Sequence, residues 1–192
     1  MGVLFIRLGL GAVIMLPFYI IMRLLFWRRK QAKPEYPREL LLALFVLFMA
    51  GLIVLVLWPG SREGQGTGYI SQAMERLSTG IGINFVPLRT VRSYFTRPIG
   101  TLFVINIIAN VLMFSPLGFC LPLFWRRFQK WWKLLIIGTV FSMGIETAQL
   151  FVGRSVDVDD VILNAAGVML GYVVYKLLAG FIPGVKSDEL AR

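Results

Sequence analysis

Five stretches of this 192-residue chain are too long and too apolar to form the interior of a soluble domain: Val3–Trp27, Leu40–Trp58, Thr101–Trp125, Leu134–Phe151 and Val161–Ile182. A helix needs about 20 apolar residues to cross a hydrocarbon layer roughly 30 Å thick. In lipid every backbone polar group must be satisfied internally, and continuous apolar runs of this length do so as helices. The expected fold class is therefore all-α, a polytopic membrane helical bundle of about five transmembrane helices. All five tryptophans, Trp27, Trp58, Trp125, Trp131 and Trp132, fall at span boundaries, where indoles favour the headgroup zone.

The net charge of +10 would suit a nucleic-acid partner. Its distribution does not. Arg23, Arg28, Arg29, Lys30, Lys33 and Arg38 follow the first span, Arg126, Arg127, Lys130 and Lys133 follow the third, and Lys176, Lys186 and Arg192 close the chain. Counting spans puts all of these on one side, which is the positive-inside pattern. It predicts an N-terminus outside, a C-terminus in the cytoplasm, and no nucleic-acid partner. The start is not a secretory signal, because its basic cluster follows the apolar core. Arg7 lies inside the first span and must snorkel to the headgroups.

Histidine is absent and Cys120 is the single cysteine. These two facts exclude an internal disulfide, a Ser-His-Asp triad and a histidine- or cysteine-built metal centre. Chemistry is left to carboxylates, arginine, amides and hydroxyls.

Between spans, Arg28–Arg38 with Pro34 and Pro37 is a tight cytoplasmic linker. The connection Pro59–Gly100 is a long extracytoplasmic loop that opens with Gly60, Gly64, Gly66 and Gly68, a flexible start. Within Tyr69–Ser78, Ile70, Met74 and Leu77 recur at helical spacing, predicting a short amphipathic helix on the membrane surface. Gly82–Arg89 is apolar, proline-broken and too short to span, so it reads as an interfacial or re-entrant segment. Arg89, Arg92 and Arg97 suit either phosphate or lipid headgroups. Three regions result: a two-span N-terminal region with the start of the loop (1–80), a core (81–175) and a cytoplasmic tail (176–192).

The last two spans carry polar residues where lipid should be. Glu146 lies six residues from the end of its span, about 9 Å at 1.5 Å per residue. A charged side chain at mid-membrane costs about 2.5–3.5 kcal/mol, so such acids mark function by default. Gly138, Ser142, Glu146, Gln149 and Gly153 form one helical face; Asp157, Asp160, Asn164, Gly167 and Gly171 form another. Gly167 and Gly171 make a GxxxG packing motif. If the hairpin turns about Ser155, Glu146 and Asn164 lie at equal depth and the two stripes face each other. Glu146, Gln149, Asp160 and Asn164 then share an outward-facing pocket with Arg154 at its mouth. The competing reading is helix glue, foremost for Gln149 and Asn106, with an Arg154–Glu146 or Arg154–Asp157 pair neutralising the acids and one of Asp157, Asp159 and Asp160 as an N-terminal helix cap. In the third span Asn106 and Asn110 share a face. Pro116 and Gly118 predict a kink or local unwinding, whose freed carbonyls serve as ligands or as a packing device.

These residues resemble the VanZ-like family. Asn110-Val-Leu-Met-Phe-Ser-Pro-Leu-Gly-Phe119 is similar to its Asn-x-x-x-Phe-x-Pro-x-Gly-Phe signature. Glu146 and Gln149, then Arg154, Asp157, Asp160, Asn164, Gly167 and Gly171, follow its Glu-x-x-Gln … Arg … Asp-x-x-Asp … Asn-x-x-Gly-x-x-x-Gly run. Asn84-Phe-Val-Pro87 resembles its outer-loop motif. The resemblance covers about 81–175 and implies a multi-pass protein of the bacterial plasma membrane. The name-giving member is associated with low-level resistance to the glycopeptide teicoplanin.

Two classes of function follow as expectations. One is recognition or remodelling of an outer-leaflet envelope component, such as a lipid-linked or cell-wall precursor or a glycopeptide. Asn84, Asn110, Gln149, Arg154, Asp157 and Asn164 would bind it, and in a catalytic version Glu146 or Asp160 would be general base. The acids could instead hold a divalent cation through oxygen ligands. The other class is a non-catalytic accessory protein or a transport or channel component, alongside membrane lipids as partners. The residues leave catalysis and any cofactor open.

Overall fold

The computed structural model describes residues 2–30, 36–58, 68–96 and 100–181. Gly60, Gly64, Gly66, Arg97, Lys33, Pro34, Lys186, Arg192 and the side chain of Arg7, all used above, lie outside the described residues. In chain order the elements are α1 (Gly2–Lys30), α2 (Tyr36–Val56), α3 (Tyr69–Thr79), β1 (Ile83–Asn84), α4 (Arg89–Thr96), α5 (Gly100–Phe124), a 3-10 turn (Arg126–Phe128), α6 (Trp131–Phe151), β2 (Val156–Asp157) and α7 (Val158–Ala179). Five of these helices, α1, α2, α5, α6 and α7, are long and apolar enough to cross a membrane. They coincide with the five predicted stretches to within a few residues. The 21 residues of α6 span about 31 Å, which matches the hydrocarbon thickness. Apolar side chains on these helices stand exposed, Val140 and Leu177 among them, as expected of surfaces solvated by lipid.

The chain forms two compact units, residues 1–60 and 61–192. In the first, α1 and α2 pack where Gly11 meets the backbone of Ala50 and Gly51; a Cβ there would sit 2.6 Å from the Ala50 carbonyl oxygen. The same helices are pinned by Arg23, which donates to both carboxylate oxygens of Glu39, its Nε at 2.8 Å from Oε2. Tyr19 Oη donates to the Glu39 carbonyl at 3.2 Å. Arg23, counted above only as a topology charge, is thus also a fastener.

In the second unit α7 packs along both α5 and α6. Glycines set the α5–α7 distance. A Cβ on Gly118 would lie 1.8 Å from the Val168 carbonyl oxygen, one on Gly171 1.9 Å from that of Ser115, and one on Gly167 2.3 Å from that of Val111. The GxxxG of α7 therefore meets α5. This corrects the expectation that the small residues of α7 face α6. On the α6 side, Gly138 accommodates the Val168 side chain, and Leu134, Val168 and Tyr175 are buried. Tyr172 Oη donates to the Gln129 carbonyl at 2.9 Å, tying α7 to the turn between α5 and α6.

Nor does α5 unwind at Pro116 and Gly118: it is one α-helix across both Pro116 and Pro122. Proline removes the N–H that would bond the carbonyl four residues back. That carbonyl belongs to Leu112, and the Ser115 hydroxyl donates to it at 2.9 Å. A neighbouring serine re-satisfies the backbone, as membrane helices require.

The segment Gly82–Arg89, expected to be interfacial or re-entrant, contains the two-residue strand β1. Its β1 pairs in parallel with β2, Ile83 beside Val156 and Asn84 beside Asp157, and the chain then turns into α4. The described part of the loop between α2 and α5 and the turn between α6 and α7 consequently meet at one end of α6 and α7.

Candidate functional site

Among the described residues the buried polar side chains are Ser142, Glu146, Gln149, Asp159 and Asn164, all on α6 or α7. Local geometry explains how the hairpin is held. α6 ends with Gly153 at φ +72° and a bond from the Arg154 N–H to the Gln149 carbonyl at 3.1 Å. That is the left-handed, six-to-one closure glycine favours. Arg76 of α3 reaches the next orphan carbonyl, its Nη1 donating to Leu150 O at 3.2 Å, and bonds the Gly82 carbonyl at 3.3 Å. Arg76 went unnoticed in sequence, since nothing local marks it as a capping residue for a helix 74 positions away.

The turn is centred on Gly153 rather than Ser155. Asn164 Nδ2 donates to Ser142 Oγ at 2.8 Å, and Val168 lies against Gly138; both pairs are symmetric about Gly153. The reason is β2. Extended residues advance about 3.3 Å each against 1.5 Å in a helix, so Val156–Asp157 descends faster and α7 starts lower. The partner of Glu146 at equal depth is therefore Asp160, and Asn164 pairs with Ser142 instead.

Three aspartates in one short run do three different things. Asp157 is the N-cap of α7: its Oδ1 accepts from the Asp159 N–H at 2.9 Å and from Asn84 Nδ2 at 2.8 Å, and its Oδ2 accepts from Thr90 Oγ1. Asp159 is 1% exposed and caps a different helix. Its Oδ1 accepts from the Leu88 N–H; its Oδ2 accepts from the N–H groups of Thr90 at 2.7 Å and Val91 at 3.0 Å. Leu88, at φ +61° before α4, has no side-chain acceptor to offer, so the orphan donors and positive end of α4 are satisfied from α7. Asp160 instead turns toward α5, where Asn110 Nδ2 donates to its Oδ1 at 2.7 Å. Two of the three acids are caps where one was expected.

Asn84 is fully engaged in this scaffold: its Oδ1 accepts from the Val86 N–H at 3.1 Å while its amide donates to Asp157 and Thr90. Asn106 is exposed. Glu146 accepts one bond, from the Asp157 N–H to Oε2 at 2.9 Å. Among the described residues, Glu146 Oε1 and Asp160 Oδ2 accept no hydrogen bond, and Asn164 Oδ1 is buried without a partner. Arg154 is near enough to interact electrostatically with both acids. Gln149 is buried one turn beyond Glu146. The structure thus gathers Asn110, Glu146, Asp160 and Asn164, with Gln149 and Arg154 alongside, while Asn84 and Asp157 form the brace above them. No group of three or more metal-ligating side chains occurs among the described residues.

Five membrane-length helices with a polar cluster inside the last hairpin define a multi-pass helical membrane protein. The family model described as VanZ/LLP1 matches residues 45–179, well over half of the chain, and the protein belongs to that family. The match begins inside α2, upstream of the motifs. No curated protein and no solved structure matches the chain.

Proposed function

We propose that this VanZ-family protein binds a donor-rich headgroup of an outer-leaflet envelope component, such as a lipid-linked cell-wall precursor, at the Glu146–Asp160 pair. The observation that carries the reading is the uncommitted acceptor capacity of this cluster: among the described residues, Glu146 Oε1 and Asp160 Oδ2 accept no hydrogen bond and Asn164 Oδ1 is buried without a partner. Asn164 Oδ1 is buried, and a buried acceptor left unpaired costs about 1–3 kcal/mol. Hydroxyl, amide or ammonium groups of a ligand would relieve that cost, and Arg154 would meet an adjoining phosphate. Among the described residues neither acid is bonded to a hydroxyl that could act as nucleophile, which supports binding over turnover. The proposed setting is the bacterial plasma membrane, with the N-terminus outside and the hairpin turn on the outer face. The arginine and lysine distribution supports that orientation. Glycopeptide susceptibility would change if the bound component is the antibiotic's own target.

Native mass spectrometry of the purified full-length protein, incubated with an envelope lipid extract, tests the reading. Wild type is expected to retain a lipid adduct that Glu146→Gln and Asp160→Asn lose at unchanged melting temperature. Retention of the same adduct by both variants would refute it.

A further inference from the structure

We infer that the α3–α4 layer is a bilayer-binding surface, with Phe85, Val86 and Leu88 inserted below the headgroups and Arg89 and Arg92 paired with phospholipid phosphates. The layer's height is set by the spanning helices. Arg76 ties α3 to the last turn of α6, β1 pairs with β2, and Asp159 near the start of α7 holds the first turn of α4. All three fastenings sit at the ends of membrane-length helices, so the layer can lie only at the membrane surface on that side.

Its faces fit that position. At 100° per residue, α3 has three flanks. Ala73, buried, lies with Gln72 and Arg76 on the flank against the protein. Ser71, Glu75 and Ser78 occupy the second. Ile70, Met74 and Leu77 make the third, and they are exposed, Ile70 at 73%. A helix in bulk water has no use for a third, apolar flank; one lying in the interface does. The exposed apolar surface continues through Ile81, Phe85, Val86 and Leu88, with Phe85 at 72%. It is continuous in kind with Phe151 and Ile162, half-exposed at the same end of α6 and α7. One medium, the bilayer, covers both; a soluble partner would cover only the layer. The exposed charges that follow this surface, Arg89 and Arg92, are basic. They complement anionic headgroups.

The test places an environment-sensitive bimane at Phe85→Cys, and separately at Ser78→Cys, in the full chain carrying Cys120→Ala. The protein is reconstituted in phosphatidylethanolamine–phosphatidylglycerol vesicles. The probe at position 85 is expected to lose most of its emission to lipids spin-labelled high on the acyl chain and to resist aqueous iodide. The probe at position 78 should behave in the opposite way. Replacing phosphatidylglycerol with phosphatidylcholine should weaken lipid quenching at position 85, and Arg89→Gln with Arg92→Gln should remove that dependence. Iodide quenching at position 85 without lipid quenching overturns the inference. So does efficient cross-linking between two copies through Phe85→Cys with no lipid quenching, since a second copy of the chain would then be the occupant.

Discussion

Asp157, Asp159 and Asp160 show how finely position separates roles when the residue type is constant. Asp159 has every carboxylate oxygen committed to backbone donors, so its function is to brace. Asp159→Ala removes those bonds and exposes the start of α4, at a cost of about 2–3 kcal/mol. The expected outcome is a lower melting temperature in detergent and faster tryptic cleavage at Arg89 and Arg92. Asp160→Asn keeps a polar link to Asn110 and should leave both readouts near wild type. Sequence alone assigned these acids a shared neighbourhood and one cap. Which acid caps which helix depends on β2 turning Asp159 toward α4, a contact nearly 70 positions away in the chain.

At the scale of elements, the long helices and α3 were legible because each repeats a pattern over many residues: continuous apolarity for spans, a three-and-four spacing for α3. The pairing of β1 with β2 was not, since two residues per strand are too few to show alternation. α4 escaped for a similar reason, having eight residues and a first turn capped from another helix. GxxxG announced a close approach, but the matching stripes assigned it to α6 where the structure gives it to α5. Gly167→Ala and Gly171→Ala each drive a Cβ into the α5 backbone, and overpacking of this kind costs about 1–3 kcal/mol. Both should lower the yield of monodisperse protein on size-exclusion chromatography. Gly144→Ala meets nothing within 4 Å and should hold or raise the melting temperature.

For the molecule as a whole, the fastenings around Asp157, Asp159 and Arg76 put the α2–α5 loop and the α6–α7 turn at one end of the second unit's helices, with the 3-10 turn at the other. In a Cys120→Ala background, Ser78→Cys and Ser155→Cys should therefore react with an impermeant maleimide from the same side, and Lys130→Cys from the opposite side. Labelling of Ser155→Cys from outside in intact cells is expected if the basic residues stay cytoplasmic. Labelling only after permeabilisation would invert the orientation and remove the outer-leaflet ligand from the proposed function.

The chain by itself determined that this is a five-span helical membrane protein with an acid-bearing final hairpin, because solvation by lipid imposes length and apolarity on every span. It also located the polar positions, since their burial in lipid is too costly to be incidental. Only the tertiary structure decided their pairing. The extended residues before α7 contribute to a hairpin centre two positions earlier, and that displacement moves the partner of Glu146 by four residues, from Asn164 to Asp160. Glycine contacts turn α7's small face to α5, so Asp160 meets Asn110 while Asn164 stays with Ser142. Register and partner choice depend on where distant backbone passes, and no local pattern in the sequence encodes that.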